Sequence, residues 1–208
     1  MPDGLQYNPD EALAHLGAHD PILAGLIQRT GPFTLKPHRT KSIFAALLRS
    51  IVYQQLHGKA AATILGRVLV ALEPHGGPTP AAFAAASDEA LRAAGLSRAK
   101  LAAGRDLATH CITGAVPSWR EAKKLNDDEL ITRLTAVRGI GPWTVHMLLI
   151  FHLGRPDVMP TGDFAIRLAF KKLYRKRNDP TPALILKQTR CWQPYRSVAS
   201  WYLWRSLD

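Results

Sequence analysis

Apolar residues recur at helical spacing along most of this chain, in segments bounded by glycines, prolines and capping residues. The clearest segment begins where Asn126 and Glu129 stand at the spacing of a capping box. Leu130, Leu134 and Val137 then follow at helical intervals. The pattern as a whole predicts an all-α protein.

This helix should stop at a glycine-rich hairpin, residues 138–142. Gly139 and Gly141 bracket Ile140, which predicts a tight turn with positive φ and a close approach to something bulky. Pro142 suits the first position of a second helix, which Gly154 would close. One face of that helix would carry Trp143, Met147, Ile150 and Phe151.

The hairpin predicts a phosphate-binding site. The amides of Gly139, Ile140 and Gly141 precede a helix N-terminus, where positive potential and unpaired N–H groups favour an anion. Thr144 lies in the first turn of that helix and completes the predicted phosphate contacts. The alternative is a helical hairpin that only turns a corner.

A polar break interrupts residues 42–72, which otherwise have helical periodicity. Gln54, Gln55, His57 and Gly58 lie in this break, which is either a solvated loop or a functional corner. Upstream, Asp20 suits the N-cap of a helix with Pro21 in its first turn.

Residues 81–125 read as short alanine-rich helices, one of them spanning residues 97–110. Arg98, Lys100 and Arg105 are either phosphate ligands or part of a solvated basic face. No linker divides the chain into independent domains.

Charge points to a polyanionic partner. The chain has 27 Lys and Arg residues against 16 acidic ones, a formal net charge of +11, which favours nucleic acid. Of its 208 residues, 47% are hydrophobic, but no run approaches the roughly 18 apolar residues that would span a membrane. We therefore expect a soluble protein with one or two small lobes.

Two cysteines, Cys111 and Cys191, lie far apart and form no CxxC pair. They provide neither a disulfide framework nor a four-cysteine iron–sulfur site. The first residues lack the basic and apolar regions of a secretory signal. We expect a reduced, cytoplasmic protein.

Three segments together resemble the helix-hairpin-helix DNA glycosylases, most closely the 3-methyladenine DNA glycosylase II branch. They are IVYQQLHGKAA, VRGIGPWT and PTGDFAIR, and the similarity extends from about Asp20 to the C-terminus. The resemblance implies a two-lobed all-α fold with a DNA-binding cleft between the lobes. Residues 1–40 would form a helical extension packed on a core of interleaved lobes, residues 41–208. Larger members begin with an α/β domain, for which this N-terminus has too little room.

The resemblance also implies roles for individual residues. Asp163, which by itself suits the N-cap of a following helix, matches the catalytic carboxylate. Gln55, with Leu56 beside it, matches the wedge that fills the duplex after base flipping. Trp143 and Trp204 match the base pocket.

Other aromatic residues surround these positions. Phe164 follows the carboxylate and joins the predicted pocket, while Met147 replaces an aromatic residue of the family's pocket. The C-terminal stretch carries four aromatic residues at spacings that suit a helix starting at Pro194, and most of the four should belong to the core. They are Trp192, Tyr195, Trp201 and Trp204.

The resemblance implies an enzyme that removes alkylated purines, such as 3-methyladenine or 7-methylguanine, from double-stranded DNA. Trp143 stands where strand-cleaving relatives have a lysine, so base removal should leave an abasic site. The alternatives are a non-catalytic DNA-binding module and a glycosylase that also cleaves the strand. We expect a monomer with no catalytic metal and no cofactor; the family's hairpin accepts a monovalent cation when DNA is bound.

Overall fold

A computed structural model describes residues 4–38, 40 and 42–208 of the protein. Across these residues the chain forms thirteen α-helices and no β-strand. The helices are α1 (Pro9–His19), α2 (Pro21–Thr30), α3 (Ile43–Tyr53), α4 (Gly58–Leu72), α5 (Pro80–Ala85), α6 (Asp88–Ala93), α7 (Arg98–Ile112), α8 (Trp119–Ala122), α9 (Asp127–Thr135), α10 (Pro142–Phe151), α11 (Phe164–Leu173), α12 (Pro182–Gln188) and α13 (Arg196–Arg205). The predicted all-α class is confirmed.

The helices form two compact units, Met1–Arg39 with Leu149–Asp208, and Thr40–Leu148. Helix α10 continues from the second unit into the first. The resemblance implies that residues 1–40 are an extension packed on the core, and in the structure residues of this segment belong to the same unit as the C-terminal helices. The reason is long-range bonding: the hydroxyl of Tyr202, for example, donates to the carbonyl oxygen of Gly31 over 3.0 Å.

Asp20 organises the unit that contains both chain termini. Its carboxylate accepts the amides of Ile22 and Leu23 at the start of α2, which confirms the predicted N-cap. The same buried side chain accepts the indole N–H of Trp192 over 2.9 Å and the hydroxyl of Tyr174. Burial, followed by the bond to Asp20, raises the pKa of the Tyr174 phenol. These four hydrogen-bond donors offset the free-energy cost of burying the Asp20 carboxylate.

The second unit is built around α3, α5 and α7. Leu47, Ile51 and Leu107 are buried in its core. Phe83 packs so closely on α7 that a Cβ added at Gly104 would lie 2.5 Å from its ring, so only glycine fits there. The predicted break between α3 and α4 is confirmed and contains residues 54–57.

Some helix boundaries differ from the predictions. The capping box of Asn126 and Glu129 is confirmed, but α9 ends at Thr135, so Val137 is buried in the turn that follows. Helix α13 begins at Arg196 rather than at Pro194. Both differences arise at turns, whose conformation depends on packing beyond the local sequence.

Helix α10 buries Ile150 of the face that was predicted to carry Trp143 and Met147, but most of its buried residues lie outside that face. Val145, Leu148 and Leu149 are buried, whereas Trp143 is 48% exposed. The helix is apolar on nearly every side, so its sequence did not distinguish the face that packs inward. No α-helix within the described part of the chain is long and apolar enough to cross a membrane.

Candidate functional site

The hairpin between α9 and α10 has the predicted positive φ at its first glycine only. Gly139 has φ 78°, and a Cβ there would lie 3.3 Å from the Cβ of Ala103 on α7. Gly141 has no positive φ, and a Cβ there would meet no atom within 4 Å. Packing inside the protein therefore explains Gly139 but not Gly141.

A carboxylate on α7 holds the start of the hairpin. Oδ2 of Asp106 accepts the amide of Arg138 over 2.7 Å. This bond fixes the backbone at the start of the hairpin. Sequence reasoning missed Asp106, which no local motif marks.

One of the predicted phosphate contacts needs correction. The amide of Ile140 already donates to the carbonyl oxygen of Val137 over 3.1 Å, and the Ile140 side chain is buried. This geometry does not support Ile140 as a phosphate donor. Thr144 lies in the first turn of α10 and is 4% exposed, and its phosphate contact stays a prediction.

The corner between α3 and α4 presents the two predicted wedge residues to solvent. Gln55 is exposed and has φ 56°, a left-handed conformation that is uncommon for a residue with a side chain. Leu56 is 38% exposed. Nε2 of Gln54 donates to the carbonyl oxygen of Gly139 over 2.9 Å, so the structure brings this corner to the hairpin.

Helix α7 supports both of these segments. Nζ of Lys100 donates to the carbonyl oxygen of Val52 over 2.8 Å, near the end of α3. Lys100, Ala103 and Asp106 stand three residues apart and share one face of α7. Burial lowers the pKa of the Lys100 ammonium. This face therefore positions the corner through α3 and the hairpin through Ala103 and Asp106.

Two of the basic residues of α7, Lys100 and Arg105, form hydrogen bonds within the protein. Lys100 binds α3, and the guanidinium of Arg105 donates to Asp88 and to carbonyl oxygens that include that of Ala86. For these two residues the structure supports neither the phosphate role nor a freely solvated face. Their charges instead satisfy helix ends, which is common for cations near helix C-termini.

Two residues of the predicted base pocket lie on α10 in the unit Thr40–Leu148. Trp143 is exposed in the first turn and Met147 is half-buried one turn later. Between them, burial lowers the pKa of His146, which favours its neutral form. The roles of Trp143 and Met147 in base binding stay predictions.

Asp163 lies at the N-terminus of α11 in the other unit. Only 9% of this residue is exposed, and its Oδ1 accepts the amide of Ile166 over 2.9 Å, as predicted for an N-cap. The same oxygen accepts the indole N–H of Trp204 over 3.2 Å. The structure therefore brings the predicted catalytic carboxylate and one predicted pocket residue together.

The indole of Trp204 also packs against the ring of Phe151, with 5.6 Å between ring centroids. Sequence reasoning placed Phe151 on a helix face but did not connect it with the carboxylate. Phe164, the other predicted pocket residue of this unit, is 78% exposed. Trp204 and Phe151 therefore form a packed aromatic wall beside Asp163, whereas Phe164 offers an exposed ring.

An ion pair and two hydroxyl groups fix the segment before Asp163 to α13. Nε of Arg196 lies 2.6 Å from Oδ1 of Asp157. The amide of Val158 donates to the hydroxyl of Ser197 over 2.9 Å, and the hydroxyl of Ser200 donates to the carbonyl oxygen of Val158 over 3.2 Å. Asp163 and Trp204 therefore lie on parts of the chain that are joined by buried hydrogen bonds.

Comparison with known proteins identifies the family. Residues 48–194 match the HhH-GPD superfamily of base excision DNA repair proteins. The chain belongs to this superfamily. The matched region includes the corner, the hairpin and Asp163, so the three segments that carry the resemblance lie inside it.

Relatives of known identity agree with this assignment. DNA-3-methyladenine glycosylase 1 of Schizosaccharomyces pombe is 38% identical over 94% of this chain and 86% of its own length. The solved structure of the S. pombe 3-methyladenine DNA glycosylase in complex with abasic DNA has a TM-score of 0.80 and covers 94% of this chain and 96% of its own.

A bacterial structure is also similar over nearly the whole chain. The DNA-3-methyladenine glycosidase of Bacillus halodurans is 34% identical, with a TM-score of 0.85 over 96% of this chain and 89% of its own. These matches span nearly the whole protein, so the similarity is not restricted to the hairpin. The expected superfamily is confirmed.

Proposed function

We propose that this protein is a monofunctional DNA glycosylase of base excision repair. It hydrolyses the N-glycosidic bond of alkylated purines, of the 3-methyladenine and 7-methylguanine type, after the nucleotide has left the duplex, and leaves an abasic site. The observation that carries the proposal is Asp163, a buried carboxylate oriented by Trp204 in a chain similar to 3-methyladenine glycosylases.

The chemistry follows from the charge that develops on the sugar. Cleavage of the N-glycosidic bond leaves an oxocarbenium-like sugar, and an ionised carboxylate near C1′ stabilises that positive charge or orients the attacking water. The bonds from Ile166 and Trp204 fix the orientation of the Asp163 carboxylate before substrate binds. No step of this mechanism requires a metal or a cofactor.

Duplex DNA is held by the hairpin and the corner. The amides of Gly139 and Gly141, with the N-terminus of α10, suit a backbone phosphate, and the net charge of +11 adds attraction. Gly141 supports this role, because nothing inside the protein requires glycine there and a phosphate close to its backbone would. A monovalent cation at the hairpin in the DNA complex belongs to the same proposal.

The wedge role belongs to Gln55, with Leu56 as the second candidate. The left-handed backbone of Gln55 is uncommon for a residue with a side chain, and such conformations cluster at functional sites. A side chain inserted into the duplex replaces part of the stacking that is lost when the target nucleotide is extruded.

Aromatic surfaces would bind the extruded base. Trp204, and Trp143 in the other unit, offer electron-rich rings that attract a positively charged alkylated purine. Phe164 offers a further exposed ring, and Met147 supplies a flexible, polarizable contact. Side chains of this kind select by charge and stacking, which suits alkylated purines as a class.

A non-catalytic DNA-binding module and a strand-cleaving glycosylase are the rival functions. A pure binder has no use for a buried, hydrogen-bonded carboxylate beside an aromatic wall. Strand cleavage through a Schiff base needs an amine, and residues 138–154 contain no lysine. The proposed enzyme acts as a cytoplasmic monomer.

The decisive experiment incubates the protein with DNA treated with a methylating agent and identifies the released bases. Release of 3-methyladenine or 7-methylguanine without strand breaks is expected. Borohydride added during the reaction should trap no covalent protein–DNA adduct, because water is the nucleophile. Binding without release would support the non-catalytic module, and a trapped adduct would support the strand-cleaving enzyme.

A further inference from the structure

The hydrogen bond from Gln54 to Gly139 joins two segments that are 85 positions apart in sequence. On one side it starts from the last turn of α3, where the amide of Gln54 also donates to the carbonyl oxygen of Ser50. On the other side it ends on the carbonyl oxygen of Gly139, in the hairpin. It is therefore a direct link between the corner and the phosphate-binding turn.

The residue that follows Gln54 is held in a strained conformation. Gln55 has φ 56°, in the left-handed region that is unfavourable for a residue with a Cβ. Such a conformation persists only where the surrounding structure fixes it. Here Gln54 is fixed on one side, and the amide of Leu56 donates to the carbonyl oxygen of Tyr53 over 3.3 Å on the other.

The chemistry of the link suits its position. An uncharged amide donates to Gly139 without adding a charge beside the phosphate-binding turn. A lysine or arginine in the same place would attract the phosphate itself, and a glutamate would repel it and could not donate while ionised. The cation that supports this corner, Lys100, is instead partly buried against the carbonyl oxygen of Val52.

We propose that Gln54 is a positioning residue that couples the hairpin to the Gln55 wedge, so that binding of a phosphate at the hairpin orders the wedge for insertion. The proposal rests on the proposed function for the phosphate and wedge roles. Gln54 itself touches neither the base nor the reacting sugar in this scheme, and its effect is transmitted through Gly139 and Gln55.

Hydrogen exchange in the DNA-free protein tests the link itself. The variant Gln54→Met keeps the length of the side chain and removes the donor. The amides of Arg138 and Ile140, both hydrogen-bonded in the hairpin, should exchange roughly two- to fivefold faster, as expected for loss of one exposed hydrogen bond. Thr109→Val, which removes a neutral side-chain bond to the carbonyl oxygen of Arg105 on α7, is the matched control.

The coupling to the wedge is tested by a double-mutant cycle. The measured quantity is the ratio of affinities for a duplex with a tetrahydrofuran abasic mimic and for the same duplex undamaged. Gln54→Met should lower this ratio about as much as Gln55→Ala, and adding it to Gln55→Ala should lower the ratio no further. A general loss of stability would instead weaken binding to both duplexes and leave the ratio unchanged.

Two results would overturn the proposal. One is unchanged exchange at Arg138 and Ile140 in both Gln54→Met and Gln54→Glu, with each variant folded by circular dichroism. The other is full additivity of the two substitutions in the affinity ratio. Failure of the wild-type protein to release a methylated base would refute the proposed function alone, since the exchange measurement would still decide whether Gln54 orders the hairpin.

Discussion

Trp204 and Asp163 are joined by a 3.2 Å hydrogen bond from the indole N–H to Oδ1 of the carboxylate. They are 41 positions apart, at the end of α13 and at the N-cap of α11. The bond unites a predicted base-pocket residue with the predicted catalytic group. Two of the predictions that follow separate the contributions of these two side chains.

Replacing Asp163 with Asn should lower the rate of base excision by at least about 100-fold, because the amide lacks the charge that stabilises the developing cation. The amide oxygen can still accept from Ile166 and Trp204, so the fold and DNA affinity should be preserved. Single-turnover excision assays and anisotropy titrations measure the two properties. Excision at the native rate would exclude Asp163 from the chemistry.

Trp204→Phe should keep an aromatic ring against Phe151 but lose the hydrogen bond to Asp163. We expect roughly tenfold slower excision, since a hydrogen bond to a charged group contributes about 1.5–3 kcal/mol. Trp204→Ala should in addition raise KM, because the stacking surface is lost. Equal activity of the Phe variant and the native protein would limit Trp204 to stacking.

Gln55→Ala should weaken binding to a duplex with an abasic mimic more than binding to undamaged duplex, because the wedge acts only after the nucleotide has left. Leu56→Ala is the matched control on the same corner. A larger selective loss for Leu56→Ala would assign the wedge to Leu56.

Gln55→Gly should show the same loss of selectivity with a different effect on stability. Glycine accepts the φ of 56° at no steric cost, so the free energy of unfolding should stay the same or rise by up to about 1 kcal/mol. Chemical denaturation measures this change. A loss of stability would mean that the Gln55 side chain, not its backbone, supports the corner.

Asp106→Ala removes a negative charge near the hairpin, yet it should lower DNA affinity about fivefold, because the amide of Arg138 loses its acceptor. Asp128→Ala on α9 removes the same charge without touching the hairpin and should leave affinity unchanged or slightly higher. If both variants bound DNA more tightly, Asp106 would act only through its charge.

Affinity for duplex DNA should fall steeply with salt and depend little on base sequence. Each phosphate contact adds about 0.9 to the slope of log affinity against log salt concentration. Titrations between low and physiological salt, on two unrelated duplexes, measure the slope. A flat response would contradict a role for the +11 net charge in binding.

Local sequence determined most of the helices and their starts. Asp20, Asn126 and Asp163 are N-caps as predicted, since a side chain that accepts an amide two or three residues ahead forms the same bond in any surrounding fold. The break between α3 and α4 and the positive φ of Gly139 were also predictable, because clustered polar residues and glycine mark turns in the local sequence. The family resemblance added the roles that residue types alone do not specify.

Tertiary structure decided which of these residues meet. The bonds from Gln54 to Gly139, from Arg138 to Asp106 and from Trp204 to Asp163 span 85, 32 and 41 positions, and no neighbouring residue specifies them. The buried side of α10 was likewise set by packing, because that helix is apolar on nearly every side. Short-range bonds depend on adjacent residues and can be predicted from sequence, whereas contacts between distant segments depend on how complete helices pack.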